Sequence, residues 1–337
     1  MELNTEGGEM NIFRTVIPTA ALAVSLGAAP LATAHAWNGH HSHHGHRNHC
    51  STTAKLLNNA CAKDIKDDFW LTMANCSNIA DRDERENCRS TADEERQEAK
   101  EECRDIYEAR REACDLLGEE RYNPVVNPAM FVDPTEIGKS IAPNPFFDLT
   151  TGYTRVYESG DETITVTVTG ETIEIMGVTC IVVRDIVAED GEVVEDTIDW
   201  HAQDIHGNVW YFGEIVENYQ DGLLNNLDGS FKAGDNFALP GIIMYANPME
   251  GDAYREEWAL AEAEDIAEVV SATASESTSA VSCDGTCLQT KNYTPLEPGV
   301  VEYKFYAPGI GFIVEVKPGE DGEPDERVEI VDFYHAM

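Results

Sequence analysis

Positive charge is scarce in this chain: 23 Lys and Arg stand against 63 Asp and Glu, for a formal net charge of −40. Such a balance repels phosphate backbones and anionic bilayers, so nucleic acid is excluded as a partner. It suits a protein bathed in salt or one that meets cations, and simple solubility is the plainer account. Apolar runs long enough to cross a bilayer are missing, so no membrane span is expected. Close Cys-x-x-Cys pairs are missing too, which weighs against a metal–thiolate cluster. There is no G-x-S-x-G, no H-E-x-x-H and no phosphate-cradling glycine loop. The protein is therefore expected to be non-enzymatic. Hydrophobic residues make up 42% of the chain, enough to build a core, so the body is not a disordered tract.

What is present begins with an export signal. Arg14 supplies a positive charge, Val16 to Ala32 an apolar stretch interrupted by Pro18 and Pro30, and Ala34-His35-Ala36 the small residues that a signal peptidase reads. Residues 1–36 are read as a signal peptide with Met10 as the expected start, because Met1 only adds Glu2, Glu6 and Glu9 upstream. No cysteine follows the apolar run closely, the first being Cys50, so a soluble secreted or periplasmic product is expected rather than a lipid-anchored one.

Residues 37–49 form a histidine-rich tail with His40, His41, His43, His44, His46 and His49. Neutral imidazole suits Zn, Ni and Cu alike, so these six are candidate metal ligands of unspecified metal. A flexible, weakly selective tail is the competing reading. The copper motif that needs His third from the amino terminus fails by one residue, since cleavage after Ala36 leaves His40 fourth.

Six cysteines follow, Cys50, Cys61, Cys76, Cys88, Cys103 and Cys114, at separations of 11, 15, 12, 15 and 11. The order is a palindrome. On a helix, these separations are about three and four turns, so the three cysteines of each half share one face. Lys55 to Cys76 and Glu84 to Leu117 lack Pro and Gly, and Gly118 stands where a helix ends. The spacing predicts an antiparallel helical hairpin over 50–118, stapled by Cys50–Cys114, Cys61–Cys103 and Cys76–Cys88. A two-helix hairpin has little core of its own, so disulfides would take the core's place. Such a module suits binding or spacing.

Residues 119–145 read as a linker studded with Pro124, Pro128, Pro134, Pro143 and Pro145. Thereafter the period changes. Thr163 to Thr169 alternates with period two and is β-branched throughout, as in a half-buried strand. Val178 to Val187, Val193 to Gln203 and Asn208 to Val216 continue the pattern, with turns at Asp190-Gly191, His206-Gly207, Asp221-Gly222 and Asp228-Gly229. The fold class is therefore α+β: the stapled hairpin, then a curved, mainly antiparallel β-sheet domain over 146–337. Tyr254 to Ala272 is ambiguous, helical by its Ala and Glu content and a strand by its position, and is assigned to strand.

Tyr306-Ala307-Pro308-Gly309-Ile310-Gly311-Phe312-Ile313 resembles the closing segment of envelope β-domains of the lipoprotein-carrier type. Asn144-Pro145-Phe146-Phe147, with Gly152 and Val156-Tyr157-Glu158, resembles their opening strand. The order of cysteine hairpin, proline linker and β-domain is similar to that of an uncharacterised family of secreted bacterial proteins. The resemblance covers most of residues 50–317 and implies a strongly bent antiparallel sheet wrapped round a groove. A small apolar or extended ligand held by that curved domain is the expected partner. It carries over no catalytic residue.

For the last three cysteines two pairings are open. A Cys283–Cys287 bridge would leave Cys180 buried and free, whereas a Cys180–Cys287 bridge would leave Cys283 loose; the local bridge is favoured. Asn226 to Gly229 is only part of a calcium loop, since Leu224 occupies the first ligand position and Asp235 replaces the final Glu. Asp199, His201 and Asp204 could form a hydrolase site, because alternation puts Asp199 and His201 on one strand face. A polar hairpin tip around His201 and His206 is the plainer reading. Glu320, Asp321, Glu323, Asp325 and Glu326 read as a solvated acidic loop.

Overall fold

The computed structural model describes residues 48–319 and 324–335. Two helices lead: α1, His49–Ser77, and α2, Arg82–Leu117. Asp81 caps α2, its carboxylate accepting from the N–H groups of Asp83 (2.8 Å) and Glu84 (2.9 Å). Asp83 and Glu84 add negative charge to the first turn, where the helix dipole favours it. Gly118 ends α2 at φ 92°, a conformation an L side chain resists. The helices run antiparallel and are joined by Cys50–Cys114, Cys61–Cys103 and Cys76–Cys88, with Cα separations of 5.6, 6.1 and 5.6 Å. Besides the cystines, the hairpin buries little: Ala54, Phe69, Ala92 and Ala113, with the Arg96 guanidinium 4.0 Å over the Phe69 ring. At 1.5 Å per residue, α1 is about 43 Å long.

The remainder is one fifteen-stranded antiparallel sheet curled into a nearly closed barrel. A meander opens it: β1 (Tyr153–Ser159), β2 (Glu162–Ile175), β3 (Val178–Glu189), β4 (Glu192–Gln203) and β5 (Val209–Gln220). The short β6 (Leu223–Asn226) and β7 (Phe231–Lys232) pair with β5 off the main path. β8 (Leu239–Met244) returns beside β5, and β10 (Glu257–Trp258) pairs with it. β9 (Ala253–Arg255) instead pairs with β11 (Ile266–Ser277). Residues 254–272 are thus strand and turn, with no helix. A second meander, β12 (Ser282–Tyr293), β13 (Glu302–Ala307), β14 (Gly311–Pro318) and β15 (Pro324–His335), brings β15 back against β1 in register from Tyr153↔His335.

Local chemistry explains these elements. In β2, Ile164, Val166 and Val168 are fully buried while Thr165 and Thr167 stay half-buried, the outcome of strict alternation. Asp190-Gly191 and Asp221-Gly222 all hold positive φ, as the tight turns of twisted hairpins require. The first half of β12 carries the fourth disulfide, Cys283–Cys287, and Cys180 is free and buried.

The segment ahead of β1 closes one end of the barrel. Asn144 is its hub: its side-chain NH2 donates to the carbonyls of Gly207 (2.8 Å) and Tyr245 (3.1 Å), and its Oδ1 accepts from the N–H groups of Phe146 (2.8 Å) and Phe147 (3.1 Å). The Gly309 N–H donates to the Pro145 carbonyl at 2.6 Å, so the segment spans from the β4–β5 turn to the β13–β14 turn. The hairpin sits on the barrel wall by its open end, where Arg110 of α2 meets Glu264.

Candidate functional site

Inside the barrel, β4 inverts the usual pattern. Its buried inward row is Glu195, Thr197, Asp199, His201 and Gln203, every one polar, whereas Ile198 faces outward at 37% exposure. Register extends the row sideways. Asp185 on β3 lies opposite Thr197, and Glu214 on β5 lies opposite Asp199. From β1, Arg155 enters the same space with its guanidinium 5.6 Å from Phe147 and 5.4 Å from Tyr153. On the far side, Lys304 of β13 stands opposite both Glu315 of β14 and Thr290 of β12. Its ammonium lies 3.4 Å from Glu302 and 3.4 Å from Glu315.

Burial of so many acids governs their protonation. Asp199 is held near pH 7, about 7, chiefly by burial, against the opposing hydrogen bond from the Tyr211 hydroxyl at 2.6 Å. Burial, reinforced by the neighbouring Asp199, pushes Asp185 and Glu214 well above the carboxylate range. Glu256 and Glu257 are raised in the same way, burial first. Glu315 is raised to about 7 by burial, although Lys304 opposes it. Burial also acts against the charge of Lys304, but Glu315 and Glu302 outweigh it and keep the ammonium charged. In contrast, His201 is lowered to about 3 by burial and by Arg155, and so is neutral at physiological pH.

Several atoms in this belt have no hydrogen-bond partner: both oxygens of Asp185, Nε and Nη1 of Arg155, Oε2 of Glu214 and Nδ1 of His201. A folded interior rarely leaves such groups unmet, because each unsatisfied one costs about 1–3 kcal/mol.

Of the sequence-derived candidates, Asp199 and His201 do share a face, but that face is the barrel interior, each being 1% exposed. This corrects the reading of a polar hairpin tip: closure of the sheet turned their face inward. The His201 ring packs between Phe147 at 5.0 Å and Tyr211 at 4.8 Å. Asp204 does not join them. It caps the β4–β5 turn, accepting from the N–H groups of His206 (2.8 Å) and Asn208 (3.0 Å) and from the Trp210 indole (3.1 Å). His49 opens α1, where its N–H donates to the Glu119 carbonyl at 3.0 Å. His40, His41, His43, His44 and His46 lie outside the described residues. Among the described residues, no group of three or more His, Cys, Asp or Glu side chains is placed to hold a metal ion. No helix among them is long and apolar enough to cross a membrane.

Sequence reading missed Arg155, Asp185, Glu214, Lys304 and Glu315. The one signal was local: Asp185 is a charged residue in the otherwise apolar row Ile181, Val183 and Val187 of β3.

No protein-family model and no curated protein matches the chain. Two solved structures are similar to part of it. One, from Bacteroides fragilis, is described as an exported protein with a YmcC-like fold; it is 15% identical, covering 56% of this chain and 98% of that one at a TM-score of 0.32. The other, described as a lipoprotein from Parabacteroides distasonis, is 11% identical, covering 57% of this chain and 100% of that one at a TM-score of 0.31.

Proposed function

We propose that this chain is a non-enzymatic binding protein of the secreted or periplasmic space, and that the polar belt inside its barrel receives the ligand. The observation that carries the reading is Asp185, fully buried with neither carboxyl oxygen partnered. Arg155, Glu214 and His201 present further unmet donors and acceptors to the same interior. A small polar molecule rich in hydrogen bonds suits that set better than the apolar or extended ligand expected from the sequence. Nδ1 of His201 has no partner, so the contact that would orient a catalytic imidazole is missing, which favours binding over hydrolysis. Four disulfides fit an oxidising compartment, as does the expected signal peptide. Native mass spectrometry of the gently purified, oxidised protein is the test. A retained small molecule that is lost in Asp185→Asn is expected. A wild-type mass equal to that of the bare oxidised chain, with ordered waters on Asp185 and Arg155 in a crystal structure, would sink the proposal.

A second reading assigns Zn, Ni or Cu binding to the tail through His40, His41, His43, His44, His46 and His49.

A further inference from the structure

The barrel is closed by one short stretch of chain that changes partner halfway. Ala253–Arg255 pairs with β11 over three residues, while Glu257–Trp258 pairs with β8 over only two, Glu257↔Pro240 and Trp258↔Leu239. Glu256 is the switch point, and its N–H donates to the Asp265 carbonyl at 2.8 Å. Backbones meet tightly here, since a Cβ on Gly241 would stand 1.7 Å from the Glu256 carbonyl oxygen. The outer side is covered by Tyr122, whose hydroxyl donates to the Pro240 carbonyl at 2.9 Å and whose ring lies 5.3 Å from Trp258. Arg255 stacks over Trp258 at 4.4 Å.

The seam also carries adjacent buried carboxyls. Glu256 is fully buried and Glu257 is 3% exposed. Glu257 faces Asp265 beside β11, Glu214 and the Tyr211 hydroxyl on β5, and Asp199 on β4, none of them a cation. Glu256 faces Lys304 and Glu302 of β13 and Asp265, and accepts from Asn292 of β12 at 2.9 Å, while its Oε2 is unpartnered. The phenols of Tyr254 and Tyr306 lie beside it. Outside, Arg110 of α2 is committed to Glu264. Lys304 is therefore the one cation that faces the inner side of the seam among the described residues, and Glu302 and Glu315 already share it.

We infer that the seam formed by residues 239–258 is a pH-operated gate into the barrel interior. With Glu256 and Glu257 protonated, the short ladders hold. Loss of their protons places like charges against Asp265, Glu214 and Asp199 in a medium that screens them weakly. Two ladder pairs to β8 are the fewest along the main strand order of the sheet, so the wall parts there before it parts elsewhere along that order. The gate does not depend on the identity of any ligand, and backbone exchange reads it directly.

Hydrogen–deuterium exchange of the whole oxidised chain at pH 5.5, 7.0 and 8.5, corrected for intrinsic rates, tests the gate. Protection over 239–258 is expected to fall by up to about tenfold per pH unit for each group that ionises, while protection in β2 and β3 holds. Glu257→Gln should shift the fall to higher pH, and Glu256→Gln serves if the first variant does not fold. Protection that is unchanged with pH over 239–258, or that is lost equally in β2 and β3, overturns the inference. So does a fall that is the same in the wild type and a folded variant.

Discussion

Arg110 and Glu264 form a two-pronged ion pair, Nε to Oε2 at 2.8 Å and Nη2 to Oε1 at 2.7 Å, with side chains only 9% and 3% exposed. The pair joins α2 to the turn before β11, 154 residues away in sequence. The same Glu264 accepts from the Ala261 N–H at 2.8 Å, so the turn and the hairpin share one anchor. Arg110→Ala should destabilise the protein by about 3–5 kcal/mol, because a buried carboxylate would be left without its partner. Urea denaturation measures the loss, and small-angle scattering should show a wider range of hairpin orientations.

Gly241→Ala should be costly for a different reason. The added methyl would stand 1.7 Å from the Glu256 carbonyl oxygen, a backbone atom that cannot rotate away. Parting β8 from the seam is the available relief, at a cost of roughly 1–3 kcal/mol or more. A lowered melting temperature with exchange raised first at 239–258 is the expected result, and an unchanged melting temperature would contradict the close approach.

Stability should peak in weak acid. The acids with raised values, Asp199 and Glu315 at about 7 and Asp265 at about 6, bind protons more tightly folded than unfolded. Their contribution is complete below the unfolded carboxyl value and is lost as pH rises through 6 and 7. His201 acts in the opposite sense. Lowered to about 3, it contributes above the ordinary imidazole value and loses that contribution as pH falls. Three carboxyls outweigh one imidazole above the ordinary carboxyl value, so the maximum lies near about pH 4. Thermal unfolding from pH 4 to 9 checks this, and Asp199→Asn should flatten the alkaline limb.

Reduction should separate the two modules. Besides its cystines, the hairpin buries only Ala54, Phe69, Ala92 and Ala113 among its apolar side chains. Loss of the Cys61–Cys103 bridge, which closes a separation of 42 residues, should cost about 2–4 kcal/mol. Circular dichroism of Cys61→Ser/Cys103→Ser should lose helical signal at a lower temperature than strand signal.

Calorimetric titration with Zn, Ni and Cu, run beside a chain lacking residues 38–49, examines the histidine tail. Stoichiometric binding that disappears with the tail would place metal handling there; equal weak binding by both would remove that reading.

Much of the architecture follows from composition and period alone. Two Pro- and Gly-free segments with cysteines at mirrored three- and four-turn spacings favour a stapled antiparallel hairpin over the other pairings. Alternation such as Ile164, Val166, Val168 makes a strand whatever surrounds it, because side chains on a pleated backbone point to opposite faces. The polar belt was not legible in this way. Asp199 and His201 alternate as an exposed polar row would, and nothing along β4 says that the row faces inward, because inside and outside are assigned only when β15 joins the two meanders at β1 and residues 253–258 bring the sheet's ends together. Nor does sequence place Lys304 against Glu315, which meet because the β13–β14 turn sets their register. Gly241 looks like an ordinary strand glycine until Glu256 comes to lie against it. Local propensity determines which segments are helix or strand; closure of the barrel decides which of their faces is buried and which charges must share it.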